Sequence, residues 1–179
     1  GRKGSKWEGG VRVPFIAAWG KRNSDKPWQK KLPIPAGEIC DEIGVCNDLL
    51  PTIAELLNIS IPNNYQVDGQ SLLELLAGKS DAKRKNEFLN HYPHPRRGES
   101  HFFTTWRNGD WKVRYEYFAD NDKRFGLYNL STDPSESNNL AIEYSEKLQS
   151  MMRGMVKELE SMNAVYPVQD GQTIQPIIP

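Results

Sequence analysis

Lys3-Gly4-Ser5-Lys6-Trp7-Glu8-Gly9-Gly10-Val11-Arg12-Val13-Pro14 is the stretch on which the reading of this chain turns. Its first half is rich in Gly and Lys, the composition of a loop whose backbone approaches another surface closely. Its second half enters Val11 to Trp19 (VRVPFIAAW), a short apolar run of strand length that predicts a buried strand of an α/β sheet. Pro14 lacks an N–H and favours the start or edge of such a strand. Residues 20 to 38, with Pro27, Pro33 and Pro35, read as a surface excursion.

From Asn47 the period becomes helical. Asn47 is a suitable N-cap and Pro51 falls in the first turn, where its missing N–H costs little. Leu49, Leu50, Ile53, Leu56 and Leu57 form one apolar face, and Asn58 ends the helix. A short helix follows, with Leu72, Leu73, Leu75 and Leu76, closed by Gly78. The charged run 79–85 (KSDAKRK) predicts a boundary between a first part, 1–80, and a second, 81–179.

Beyond 85 the period is two. Phe88 to Tyr92, Phe102 to Arg107, Trp111 to Phe118 and Leu127 to Leu130 read as strands, with Asn108-Gly109 as a hairpin signal. An amphipathic helix over Tyr144 to Met162 carries the stripe Leu148, Met151, Met152, Met155, Val156, Leu159 and Met162. It predicts a helix packed on one face of a small antiparallel sheet. The tail after Asn163 reads as extended chain along the surface.

Composition narrows the function. Lys plus Arg equals Asp plus Glu at 23 each, so no global field draws the chain to nucleic acid or an anionic membrane. No apolar run approaches the roughly 20 residues that span a bilayer. Five Trp, seven Tyr and six Phe in a polar chain argue for a folded domain rather than disorder. The chain opens without an initiator Met and reads as part of a longer or processed protein. Cys40 and Cys46 have no further ligands at metal-site spacing and read as free thiols.

The opening block resembles the sulfatase pattern K-G-x-x-[YW]-E-G-G-x-R-x-P. Four further blocks resemble the same family in the same order: Asp48-Leu49-Leu50-Pro51-Thr52, Asp68-Gly69-Gln70-Ser71-Leu72, Arg107-Asn108-Gly109-Asp110-Trp111-Lys112, and Leu127-Tyr128-Asn129-Leu130 with Asp133-Pro134 and Glu136. Together they cover residue 3 to about 140. The resemblance implies an α/β fold: the carboxy-terminal part of an alkaline-phosphatase-like sandwich, plus a small antiparallel sheet packed by a C-terminal helix. It implies hydrolysis of a sulfate ester, of a sulfated carbohydrate or an aryl sulfate, by a formylglycine beside a bound Ca²⁺. Cys40 precedes Asp41-Glu42-Ile43 and Cys46 precedes Asn47-Asp48-Leu49, so neither fits the C/S-x-P/A-x-R motif that yields formylglycine. The family's metal-binding carboxylates also lie before the segment matched here, so the chain is expected to hold neither cofactor and to act with the remainder of the catalytic domain. A periplasmic or secreted location is implied by the family alone.

Lys3 matches the family's sulfate-contacting lysine. A fixed ammonium in a water-poor cleft stabilises the charge that builds on sulfate oxygens during transfer. Glu8 and Arg12 are expected to orient the loop rather than touch substrate. His91-Tyr92-Pro93-His94 resembles a segment near the pocket mouth of some bacterial sulfatases. His91 and His94 are candidates to donate hydrogen bonds to substrate, and Arg96 to read a second anionic group. The competing reading packs His91 at a strand end and leaves the arginines solvated. Trp28, Tyr65, Trp106 and Tyr117 read equally as sugar platforms or core aromatics. Two further functional readings stand beside the sulfatase: a phosphodiesterase or phosphonate hydrolase of the same superfamily, and a non-catalytic glycan-binding module.

Overall fold

The computed structural model describes residues 3–94 and 102–179, and within them two compact units. One comprises residues 14–86; the other joins residues 1–13 to residues 87–179.

The second unit is built on an antiparallel meander. Strands β1 (Glu87–Tyr92), β2 (Phe103–Asn108), β3 (Trp111–Glu116) and β4 (Phe125–Asn129) lie side by side in chain order. The β2–β3 hairpin turns at Gly109-Asp110, because Asn108 is still paired with Trp111 and the left-handed φ of 58° falls on Gly109. The turn thus sits one residue later than the Asn-Gly pair predicts.

Alternation along the strands gives the sheet two distinct faces. Trp106, Val113, Tyr115 and Leu127 point to one face, in register with one another. Against them packs α6 (Ser145–Ser161), burying Leu148, Met151, Met152, Met155 and Leu159. Each such side chain contributes about 1.5–3 kcal/mol on burial. Packing, rather than intrinsic propensity, therefore holds a helix that contains Gly154. That glycine is needed, since a Cβ there would lie 2.5 Å from the Trp106 ring. The tail does not stay simply extended: β5 (Val168–Gln169) and β6 (Gln172–Thr173) form a small hairpin around Asp170 and Gly171, both at positive φ.

The unit 14–86 is helical, with α2 (Pro27–Lys31), α3 (Leu49–Leu57) and α4 (Leu73–Leu76). Its centre is Asp48, which the sequence reading passed over in favour of Asn47 as the cap. The Asp48 carboxylate accepts the backbone N–H of Val45 (2.8 Å) and of Gln70 (2.8 Å), and pairs with Arg84 Nη2 (2.5 Å), all largely out of solvent. The Thr52 hydroxyl donates to the Asp48 carbonyl (2.5 Å) and accepts the Leu72 N–H (2.8 Å). Gly69 passes so close to the Asn47 carbonyl that a Cβ would lie 2.2 Å from it. Two of the sequence blocks, 48–52 and 68–72, are thereby fastened together. Asn58, at φ 55°, ends α3, and Gly78, at φ 75°, follows α4.

Two expectations are corrected here. Val11 to Trp19 is not a buried strand. Its start belongs to a single helical turn, α1 (Glu8–Val11), and from Arg12 the chain runs without a pairing partner among the described residues, with Ile16 90% exposed. A strand is buried only where neighbours satisfy both of its edges, and an apolar run cannot announce whether they are there. Likewise the apolar face of α3 does not point into its unit. Thr52 and Ala54 are the buried residues, while Leu49, Leu50, Ile53 and Leu57 are exposed, because the hydrogen bonds of Thr52 fix which side turns inward.

Candidate functional site

The segment 3–13 is a closed loop carried by the charged face of the sheet. Gly4, at φ 75°, donates its N–H to the Gly10 carbonyl (3.1 Å). Gly10 donates to the Trp7 carbonyl (2.8 Å) and Arg12 to that of Glu8 (2.7 Å). These bonds fold the loop back on itself and leave Lys3 at its mouth, exposed to solvent in this chain.

Three consecutive side chains then fasten the loop to the sheet. Lys6 Nζ pairs with Glu116 Oε2 at 2.6 Å. The Trp7 ring stands edge-on to Tyr128, centroids 6.0 Å apart, with the Arg114 guanidinium 4.9 Å over its face. Such cation–ring contacts strengthen when desolvated. Arg114 is itself fixed by the Tyr128 hydroxyl (2.8 Å) and by Glu116 (3.1 Å). Gly126 makes room for this arrangement, since a Cβ there would lie 2.9 Å from the Tyr128 ring.

Glu8 makes the deepest attachment. Its carboxylate meets Lys112 Nζ at 2.8 Å, and the same ammonium meets Glu136 Oε1 at 2.8 Å. The Glu8 backbone N–H donates to Glu136 Oε2 (2.6 Å), and Arg107 stands 3.8 Å from the Glu8 carboxylate. Lys112 is only 2% exposed along its side chain. A buried ammonium is tolerated only when paired and hydrogen-bonded; both carboxylates pair with it, and Glu8 accepts its hydrogen bond. Glu136 reaches the site from a backbone at φ 56°, held by the turn at Asp133. The Asp133 carboxyl sits below its usual range because the backbone N–H groups of Asn138 and Ser137 donate to it.

The expected orienting role of Glu8 thus has a specific geometry. Its partners Lys112 and Glu136 stand in the sequence blocks without an assigned role, and Arg114 and Glu116, which hold Trp7 and Lys6, were not singled out. The available signal was the alternation of Trp111 to Tyr117, with charge at every second position, which ordinarily marks a solvated strand face. Beside this face lies a cleft of about 430 Å³, bordered by Lys6, Trp7, Phe102, Arg114, Glu116 and Phe118.

His91 lies on β1, half-buried, with both ring nitrogens engaged. Nδ1 is 2.7 Å from the Thr104 hydroxyl, which in turn contacts the Tyr117 hydroxyl at 2.9 Å, and Nε2 is 2.7 Å from the Val165 carbonyl. Burial pushes its pKa below the ordinary histidine value, and the Val165 hydrogen bond opposes this. His94 follows three residues later, exposed, its ring 5.5 Å from that of Tyr92. Arg96 and Arg97 lie outside the described residues. Of the four aromatic candidates, Trp106 and Tyr117 are core, while Trp28 and Tyr65 are exposed.

Among the described residues no three His, Cys, Asp or Glu side chains gather as a metal-ligand set, and Cys40 and Cys46 are exposed free thiols. The described residues therefore offer no such set for Ca²⁺, neither thiol stands in the motif that yields formylglycine, and no chemical step is routed through either.

Comparison with known proteins finds relatives of the chain as a whole. A family model described as "N-sulphoglucosamine sulphohydrolase, C-terminal" matches residues 5–164. Steryl-sulfatase of Homo sapiens is 28% identical, covering 93% of this chain and 30% of its own length. Arylsulfatase A of Bos taurus is 31% identical, covering 92% and 32%. A solved protein in complex with its substrate D-glucosamine-2-N,6-O-disulfate superposes with a TM-score of 0.53 at 25% identity, over 65% of this chain and 24% of that one. The chain spans about a third of the length of these curated relatives.

Proposed function

This chain belongs to the sulfatase family, as a carboxy-terminal portion with the α/β, alkaline-phosphatase-like ancestry that the opening blocks imply, and we propose that the complete protein hydrolyses a sulfate ester to which this portion presents Lys3. The observation that carries the reading is the loop itself. Its glycines close it, three successive side chains bind it to the sheet, and Lys3 is left at its open end. An ammonium anchored from behind in this way supplies charge at a fixed point without reorganising during the reaction, which is what stabilisation of developing negative charge requires.

The substrate class we infer is a sulfated carbohydrate or an aryl sulfate. The likeness to a protein that binds a disulfated glucosamine and to an arylsulfatase supports that range. His94 and Arg96 would contact the sugar or a second anionic group at the pocket rim. His91, with both nitrogens engaged, would contribute by shaping that strand end. The nucleophilic formylglycine and the Ca²⁺ that polarises sulfate oxygens would belong to the portion of the relatives' length that this chain does not span. Residues 1–80 would then complete the catalytic α/β domain and 81–179 form its C-terminal subdomain. No helix among the described residues is long and apolar enough to cross a membrane, and we place the protein in the periplasm or outside the cell on the family resemblance alone.

The test is Lys3→Ala in the complete enzyme, assayed on an aryl sulfate and on a sulfated monosaccharide. Turnover falls roughly 10²–10³-fold, the cost of removing one preorganised charge-stabilising group. Near-normal rates on both would remove Lys3 from the mechanism.

A further inference from the structure

We propose that Lys112 is a positioning residue for the reaction: its buried ammonium, clamped between Glu8 and Glu136, sets where the Lys3 ammonium stands. This deepens the reading of Lys3 and rests on it. Three sequence blocks, widely spaced along the chain, meet at this one cation. Glu8 comes from the loop block, Lys112 from the β2–β3 hairpin block, and Glu136 from the block that follows β4. A solvated strand face would not need such agreement; a loop that must be held in one place does.

The geometry explains how a side chain on β3 acts on a residue it does not touch. Lys112 fixes the Glu8 carboxylate, and Glu136 takes the Glu8 N–H, so both the side chain and the backbone of Glu8 are held. Glu8 accepts the Arg12 N–H, Trp7 accepts the Gly10 N–H, and Gly10 accepts the Gly4 N–H. Lys3 is the residue next to Gly4. Two backbone hydrogen bonds and two peptide links therefore separate Glu8 from the backbone of Lys3, while the Arg12 bond closes the helical turn beside them. Without Lys112, the cation that remains beside the Glu8 and Glu136 carboxylates among the described residues is Arg107, 3.8 Å from Glu8. Two carboxylates that had shared one ammonium then repel, and the loop moves off the sheet.

A displacement of about 1 Å at a reacting group costs on the order of 10²-fold in rate. Lys112→Met, which keeps the length of the stem and removes the charge, therefore lowers kcat on a sulfate ester about 10²-fold in the complete enzyme. A double-mutant cycle with Lys3→Ala separates positioning from general damage. If Lys112 acts through Lys3, Lys112→Met has little further effect in the Lys3→Ala background, because the group it positions is already gone. If its effect is undiminished there, the inference is wrong while the role of Lys3 stands. If Lys3→Ala alone changes nothing, the underlying reading fails first, and the inference with it. Should Lys112→Met not fold, Glu136→Gln serves in its place. Its amide oxygen still accepts the Glu8 N–H while the ion pair is lost, and roughly a tenfold fall in kcat that vanishes in the Lys3→Ala background is the expected result. A Glu136→Gln enzyme with unchanged kcat overturns the proposal.

Discussion

Gly154→Ala sets two well-measured effects against each other on one helix. In an exposed helix interior, replacing Gly by Ala stabilises by about 1 kcal/mol. Position 154 is different, because the new methyl would lie 2.5 Å from two atoms of the Trp106 ring. Carbon atoms in good contact sit about 3.5–4.0 Å apart, so the overlap is about 1 Å or more. Trp106 is buried in the core that joins the sheet to α6, and its rigid ring has no free space to enter. Overpacking of this kind costs about 1–3 kcal/mol, and after the propensity gain the net expectation is a loss of up to about 2 kcal/mol. For a unit of this size that lowers the melting temperature by about 4–8 °C per kcal/mol. Urea unfolding followed by tryptophan fluorescence measures it. The control is the same substitution in a Trp106→Phe background, where the smaller ring withdraws the clashing atoms and Gly154→Ala becomes neutral or stabilising. An unaccompanied Gly154→Ala that raises stability by its propensity value would refute the close approach of α6 to β2.

Gly69→Ala is harsher, since its methyl would meet the Asn47 carbonyl carbon and oxygen rather than a side chain. We expect about 3 kcal/mol or more of destabilisation in a denaturant titration, confined to the unit 14–86; a loss below 1 kcal/mol would contradict the packing described. His91 carries a pH dependence. Its pKa is lowered on folding, so the unfolded chain binds the proton more tightly. The stability it allows is complete above about pH 6.5, the unfolded value, and is lost as pH falls through the lower folded value. His91→Gln should flatten the fall in urea midpoint between pH 7.5 and 5, and an unchanged slope would mean another group titrates there.

The sheet was readable because its signal is local. Alternation in Phe103 to Asn108 and Trp111 to Glu116 needs no knowledge of distant residues, and the stripe from Leu148 to Leu159 names the face that covers it. The misreadings share a cause. For Val11 to Trp19 and for the leucines of α3, apolar character showed that burial was possible but not what would do the burying. At the candidate site the same limit ran in the other direction. Lys112, Arg114 and Glu116 look like a wetted strand face until Lys6, Trp7 and Glu8 arrive from the start of the chain. No window of sequence contains both sides of those pairs, and the ordered family blocks include Glu8 and Lys112 but neither Arg114 nor Glu116.

The span of the Glu8 attachment has a consequence for how the protein is made. Glu8 meets Lys112 across 104 positions and Glu136 across 128, whereas each strand of the meander finds its neighbour next along the chain. Contacts that close long loops form after local ones. At ribosomal speeds of about 5–20 residues per second, about 6–25 seconds elapse between the emergence of Glu8 and that of Glu136. During that interval the Trp7 indole has no aromatic seat and the lysine has no fixed address. The newborn polypeptide closes this corner only after Glu136 has been translated.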